Sequence, residues 1–321
     1  MKISFLNEQK LPLLIEPGRH GERKRSFDTL VSESGSEQKF LRAKLLEYGA
    51  LLFRGFDVET CADFHNFARS FSGKELLNYA GGVSPRIELG GGKIYTSTEY
   101  PPHLTLALHN ELSYAENYPA HVYFCCLTAP EIGGETPIGD SRRILKSIEP
   151  EIIREFKAKQ IRYDRHLFGD AGSGFSWQDA FEIEDKQTVE NYCRTTGIDF
   201  KWENDGSLRL SQTRPATIKH SKTGEEVWFN QADGFHASNL DAETYRYFLS
   251  QMPEKDFRLN ARFGDGSPLD AAKLERVRAV LRSESVIFRW QKGDVLILDN
   301  LLTAHGRMPF SGARKIVVAM T

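Results

Sequence analysis

The chain is poor in cysteine, methionine and tryptophan, with four of each in 321 residues. Cys61, Cys125, Cys126 and Cys193 show none of the paired spacings of a thiolate metal site. The adjacent pair lies in an apolar segment, where neighbouring side chains alternate between core faces. A disulfide scaffold is therefore not expected, and a reducing, cytoplasmic setting is. Long apolar runs are missing too. No stretch approaches the roughly 20 residues of a membrane-spanning helix, and Met1-Lys2-Ile3-Ser4-Phe5-Leu6-Asn7-Glu8 lacks the apolar segment of a signal peptide. Neither sign of charge dominates: 42 basic against 44 acidic residues leave a net charge of −2. That gives no electrostatic footprint for nucleic acid or an anionic membrane. The glycines Gly90-Gly91-Gly92 are not followed by the lysine-serine/threonine pair of a phosphate-binding loop, so the segment reads as a plain loop. What remains is ordinary globular composition, 40% hydrophobic and 27% charged. It suits one large domain over residues 1–321 that acts on a small molecule, free or attached to a carrier protein.

The most informative segment present is Leu108-His109-Asn110-Glu111-Leu112-Ser113-Tyr114, with a second imidazole far downstream in Asp299-Asn300-Leu301-Leu302-Thr303-Ala304-His305-Gly306-Arg307. Residues i and i+2 of a strand share a face, so His109 and Glu111 are expected to grip one metal from the same side. Two histidines and one carboxylate on one face of an octahedral ion leave the opposite positions open, the pattern of non-haem Fe(II) oxygenases. The tripeptide alone is weak, because chance supplies roughly one His-x-acid in a chain of this composition. His20-Gly21-Glu22, in a charged, turn-rich stretch, is such a decoy. Context separates the two: Thr105-Leu106-Ala107-Leu108 leads into His109, and the apolar run from His121 to Leu127 follows as a buried strand.

Hydrophobic periodicity places helices over residues 36–48, from Cys61 to about Phe71, from Ser141 to Lys157 with Pro150 in a first turn, near 185–193, and over 241–252 and 270–281. Strands are expected at 50–53, 286–291, 295–298 and 314–320, and a hairpin at Asp205-Gly206. Residues 161–213 read as an insertion that could form a lid. Paired ligands on an early strand and a third near the C-terminus suit a double-stranded β-helix, or jelly roll: a mixed α/β chain, mainly β, with flanking helices.

These motifs carry a family resemblance. His109-x-Glu111, Gly133-Gly134-Glu135-Thr136, His305-Gly306-Arg307 and Arg314 resemble the TauD/TfdA family of Fe(II)/2-oxoglutarate-dependent dioxygenases. The likeness runs from about Gly49 through Met320. A closer one, through Ser84-Pro85-Arg86, residues 95–101, the His109 segment, Gly134 to Arg142 and Trp228-Phe229-Asn230-Gln231, is to the syringomycin-biosynthesis-type branch. The resemblance implies His109, Glu111 and His305 as iron ligands, and Thr136 and Arg314 as the holders of the distal 2-oxoglutarate carboxylate. A guanidinium suits that role through parallel charge-assisted bonds. Arg307 is the alternative. The resemblance also implies O2 as cosubstrate, and hydroxylation of an aliphatic C–H of an amino acid or aminoacyl-carrier substrate, yielding succinate and CO2. Related halogenases leave the Glu111 position to a small residue, so a carboxylate there disfavours halogenation; desaturation and ring formation stay open. The family's frequent second arginine, four residues after Arg314, is Val318 here, which argues against taurine.

Candidate substrate contacts are Ser97, Thr98 and Tyr100 before the motif strand, and Asn230, Gln231 and His236 in a polar segment interleaved with aromatics. Asn230 and Gln231 could equally satisfy backbone groups at a strand end. Arg142 and Arg165 could meet a substrate carboxylate or serve as ion-pair residues. His103, His121 and His166 read as structural, and Trp177, Trp202 and Trp290 as packing. The competing class is a non-catalytic jelly-roll protein in which the triad holds a structural metal. Such zinc sites close with four ligands, and with His103 and His121 read as structural, no fourth histidine or cysteine signal accompanies these three.

Overall fold

A computed structural model describes residues 1–18, 35–97, 99–170, 172 and 174–321. The decoy His20-Gly21-Glu22 and the candidate Thr98 lie outside the described residues. The core is a seven-stranded sheet with the order Lys2–Phe5, Leu13–Glu16, Ala50–Phe53, Val295–Asp299, His121–Thr128, Lys315–Met320, Tyr95–Thr96. Its central strands are buried on both faces, which explains why Ala50–Phe53 and Val295–Asp299 read as continuous apolar runs rather than alternating ones. Alternation still sorts their side chains. Leu51, Phe53, Tyr123, Ile297 and Val317 pack in one cluster with Leu41, Leu45, Phe64 and Phe67 of the helices Ser36–Tyr48 and Cys61–Ser72. Leu52, Phe124, Leu296 and Val318 belong to the other cluster, inside the roll.

The two helices begin and end for local reasons. Thr60 and Asp63 form a reciprocal capping box at the start of Cys61–Ser72. Gly49 ends Ser36–Tyr48 at φ 77°, and a Cβ there would lie 2.4 Å from Thr303 Oγ1. A side chain is excluded on both counts, and this lets the helix end abut the strand that carries His305.

Facing the large sheet is a three-stranded one with the order Leu106–His109, Thr303–Arg307, Ile138–Asp140. The pair forms the jelly roll. A further four-stranded sheet (Asp199–Trp202, Leu208–Arg214, Ile161–Leu167, Leu259–Phe263) spans much of residues 161–213 and takes its outer strand from beyond them. The hairpin falls where Asp205-Gly206 placed it. The 286–291 strand does not form. Val286 makes one isolated bridge to Ile138, and the segment then runs past the sheet edge, where Trp290 donates to Thr136 Oγ1 at 3.1 Å. Apolar alternation there reflects burial of Val286, Phe288 and Trp290, not a ladder of hydrogen bonds. Among the described residues no helix is long and apolar enough to cross a membrane.

Candidate metal centre and cavity

His109 is the last residue of Leu106–His109, and it pairs in register with His305 on Thr303–Arg307. Gly306 makes this approach possible, because a Cβ there would sit 2.4 Å from the Leu106 carbonyl oxygen. The two imidazole centroids are 4.5 Å apart. Glu111, in contrast to the shared-face expectation, is not on the strand. The chain leaves the sheet after His109 and turns, with Leu112 at φ 54°, so the turn rather than the pleat aims the carboxylate. One donor atom from each of His109, Glu111 and His305 falls within 4.8 Å of the others.

The turn is held by residues that sequence reasoning passed over. Asn300, fully buried, accepts from the Glu111 amide at 2.8 Å and donates to the Glu111 carbonyl at 2.9 Å and the Pro119 carbonyl at 2.8 Å. Its own carbonyl accepts from Asn110 Nδ2 at 2.6 Å. The strand end bearing one histidine is thereby tied to the turn bearing the carboxylate. Arg86 donates Nη2 to Glu111 Oε2 at 2.8 Å, both side chains being under 5% exposed, and its guanidinium lies 4.2 Å from the Tyr79 ring centroid. The only sequence signal for these partners was their place in quoted motifs.

Electrostatics favour metal-ready protonation states. His109 donates Nδ1 to the Ala107 carbonyl at 2.9 Å, leaving the Nε2 lone pair for an ion. Burial, followed by the proximity of His305, pulls its pKa down to about 4, so the ring is neutral near pH 7. Burial alone would raise Glu111, but the Arg86 charge and the neighbouring imidazoles outweigh it and hold the carboxyl well below the usual range. The donor set fits a divalent iron-type ion: two imidazoles and one carboxylate, with Phe124 against His305 at 5.0 Å and no other cluster of three histidine, cysteine or acidic donors among the described residues.

Beside the triad lies a cavity of about 630 Å³, whose wall includes His109, Glu111, Arg86, Gln231 and Arg258. Tyr100, Asn230 and His236 also line it. Asn230 spends its side chain on backbone, donating to the Ala216 carbonyl at 2.8 Å and accepting from the Ala232 amide at 3.1 Å. Gln231 donates to the Asn110 carbonyl at 2.9 Å, and His236 Nδ1 accepts from the Ser238 amide at 3.1 Å. Ser97 does not line the cavity; its Oγ accepts from Arg314 Nη1 at 3.2 Å. Arg314 Nε donates to the Gly134 carbonyl at 2.9 Å, two residues from the buried Thr136. Among the described residues Arg314 has no ion-pair partner, and burial followed by the nearby charge of Arg307 lowers it to about 10. Arg307 is committed otherwise: its two terminal nitrogens donate to the carbonyls of Tyr100, Pro101 and Leu104, pinning the loop before the motif strand. Arg142 is paired with Asp140 and Glu225. Arg165 donates to the Gly81 carbonyl at 2.8 Å.

A jelly roll that gathers two histidines and a carboxylate at the edge of a ligand-sized cavity defines a metal-dependent oxygenase architecture. The family model described as "Taurine catabolism dioxygenase TauD, TfdA family" matches residues 14–321, and the chain belongs to this family of dioxygenase enzymes. It is 41% identical over 276 residues to the dapdiamide synthesis protein DdaC of Enterobacter agglomerans, covering 86% of this chain and 83% of that one. It is 30% identical over 293 residues to a clavaminate synthase-like protein of Arabidopsis thaliana, covering 89% and 85%. Among solved structures, that of AAD-2 with Mn(II) and N-oxalylglycine superposes with a TM-score of 0.58 over all of this chain and 96% of the other, at 12% identity, a likeness of fold.

Proposed function

We propose that the protein is an Fe(II)/2-oxoglutarate-dependent oxygenase of specialised-metabolite biosynthesis, hydroxylating an aliphatic C–H of an amino acid or aminoacyl-carrier substrate. The observation that carries the reading is the triad of converging donors with a cavity on one side and no fourth histidine or cysteine donor among the described residues. A structural metal would close its coordination sphere; a catalytic one keeps positions for ligands. Family membership and the 41% identity to a dapdiamide synthesis protein support the chemistry and its biosynthetic setting. The motif likeness to the syringomycin-type branch supports the amino-acid substrate.

In this reading His109, Glu111 and His305 hold the iron. Arg314 receives the distal 2-oxoglutarate carboxylate on Nη2, the guanidinium nitrogen not bonded to Gly134 or Ser97, and the Thr136 hydroxyl stands nearby to donate. When bound, iron would activate O2, the oxidant, while 2-oxoglutarate would give up two electrons and leave as succinate and CO2. The chain's own groups do the rest. Arg86 fixes the Glu111 oxygen it holds, Asn300 fixes the turn, Arg307 keeps the 100–104 loop against the site, and the cavity wall orients the substrate and excludes water.

The test is Fe(II)- and O2-dependent succinate formation, with product mass, over a panel of free amino acids and aminoacyl-carrier conjugates with taurine as the control. Stimulation by an amino-acid form with gain of one oxygen atom is expected. Loss of two hydrogens instead would replace hydroxylation by desaturation or ring closure. Taurine hydroxylation with every amino-acid form inert would overturn the substrate reading and leave the iron site standing.

A further inference from the structure

Two arginines line the cavity, Arg86 and Arg258, and its three acids are all taken by others than Arg258. Asp233 and Asp256 line it, but each is already paired, with Arg278 and Arg209 respectively. Glu111 is the partner of Arg86 and, on the reading above, of the metal. Arg258 is left over. It lines the cavity, donates Nη1 to the Val83 carbonyl at 2.9 Å, and makes no other hydrogen bond and no ion pair with any described residue. Burial, only partly offset by nearby tyrosine hydroxyls and reinforced by the like charge of Arg165, lowers its pKa. Arg258 is half-buried, its guanidinium 5.6 Å from the Phe175 ring centroid, so it presents to the cavity a cation that has an aromatic neighbour and no acid.

Arg258 shares the triad's surroundings. It is bonded to Val83, and Arg86, three residues on, is bonded to Glu111. The Tyr79 and Tyr114 hydroxyls lie within electrostatic reach of both Glu111 and the Arg258 guanidinium. Arg258 is on the cavity side, whereas Arg314 and Thr136 do not line the cavity.

We infer that Arg258 is the anchor for a free carboxylate of the substrate, setting which carbon of a small carboxylic acid lies at the metal. This rests on the proposed function and narrows it. A substrate tethered through its α-carboxyl as a thioester has no carboxylate to offer unless its side chain carries one. Arg258 therefore favours the untethered acid, and Val318 need not be arginine for an anionic substrate to be held.

The experiment uses full-length protein loaded with Zn(II) and saturated with 2-oxoglutarate, so that the cosubstrate site is filled. Binding of N-acetyl-L-alanine and of its isosteric amide, N-acetyl-L-alaninamide, is measured by ligand-detected NMR. The carboxylate should bind roughly ten- to a hundredfold more tightly than the amide, the margin of a charge-assisted hydrogen-bonded pair. Arg258→Met should erase that preference, Arg258→Lys should keep part of it, and 2-oxoglutarate affinity should stay within about twofold, which also reports an intact fold. Equal binding of the two probes, binding of neither, or an unaltered preference in Arg258→Met would overturn the assignment. Weakened 2-oxoglutarate binding in Arg258→Met would overturn it differently, by giving this arginine to the cosubstrate. Failure of the wild-type protein to bind 2-oxoglutarate with metal would instead sink the proposed function.

Discussion

The jelly-roll end that carries the triad and the helix over the cavity are built in opposite ways. Every residue of Thr303–Arg307 is buried, and the turn beside it is cross-tied by Asn110 and Asn300. The helix Ala242–Gln251 buries none of its residues: Tyr247 is 62% exposed, Leu249 is also exposed, and Phe248 and Met252 contribute to the cavity wall. Metal geometry tolerates little displacement, so its supports are over-determined. A cover that admits substrate has few packed contacts, placing it at the low end of local stability. The contrast separates residues whose loss should destroy chemistry from residues whose loss should only alter access.

The largest effect is expected at the ligands. Replacing His109, Glu111 or His305 with Ala should abolish coupled succinate formation and Fe(II) retention while circular dichroism stays native-like; undiminished turnover in His305→Ala would break the triad assignment. Next, Arg314→Ala should weaken 2-oxoglutarate by about 2–5 kcal/mol, the cost of truncating a buried charged pair. Anaerobic titration of the metal-to-cosubstrate charge-transfer band measures it, and an unchanged affinity would redirect the role to Arg307. Asn300→Ala leaves the Glu111 amide and two carbonyls without their partner, so it should cost about 1–3 kcal/mol in denaturant unfolding. Turnover should also fall by about 10- to 100-fold, as for other groups that position metal ligands. Wild-type activity in that variant would show that the turn holds without its tie.

Acid should act on the jelly-roll end. Burial lowers His109 and His121 to about 4, against about 6.5 in an unfolded chain. Between those values the unfolded state binds more protons. The stability contribution is therefore fully present above about pH 6.5 and is lost as pH falls toward 4. Thermal melts of metal-free protein across this window should show the fall, and His121→Gln should make it shallower. The smallest effect belongs to the cover: Phe248→Ala should change stability by less than about 0.5 kcal/mol and act on substrate KM rather than on metal binding. A large stability loss there would erase the contrast between the two regions.

Much of this was legible in the chain. Gly49 and the Cys61–Phe71 periodicity placed their helices because caps and amphipathic spacing are local signals, and Asp205-Gly206 placed a hairpin for the same reason. The segment 286–291 misled because burial of Val286, Phe288 and Trp290 imitates a strand. Spacing singled out Glu111 as the candidate carboxylate, yet the pleat reasoning behind it did not hold, since Glu111 stands on a turn. Arg86 and Asn300 stayed unassigned because their partners lie 25 and 189 residues away.

The sequence by itself determined the family and the triad worth testing, both of which rest on residue chemistry and short-range pattern. Tertiary structure decided which of several arginines is free for an anion. Arg142, Arg307, Arg314 and Arg258 carry the same guanidinium, and nothing in their neighbours along the chain tells them apart. Packing pairs Arg142 with carboxylates, commits Arg307 to loop carbonyls, and leaves Arg314 and Arg258 half-buried with no ion pair to any described residue. A buried charge takes its role from what it has been packed against, and that is set by contacts between residues far apart in the chain.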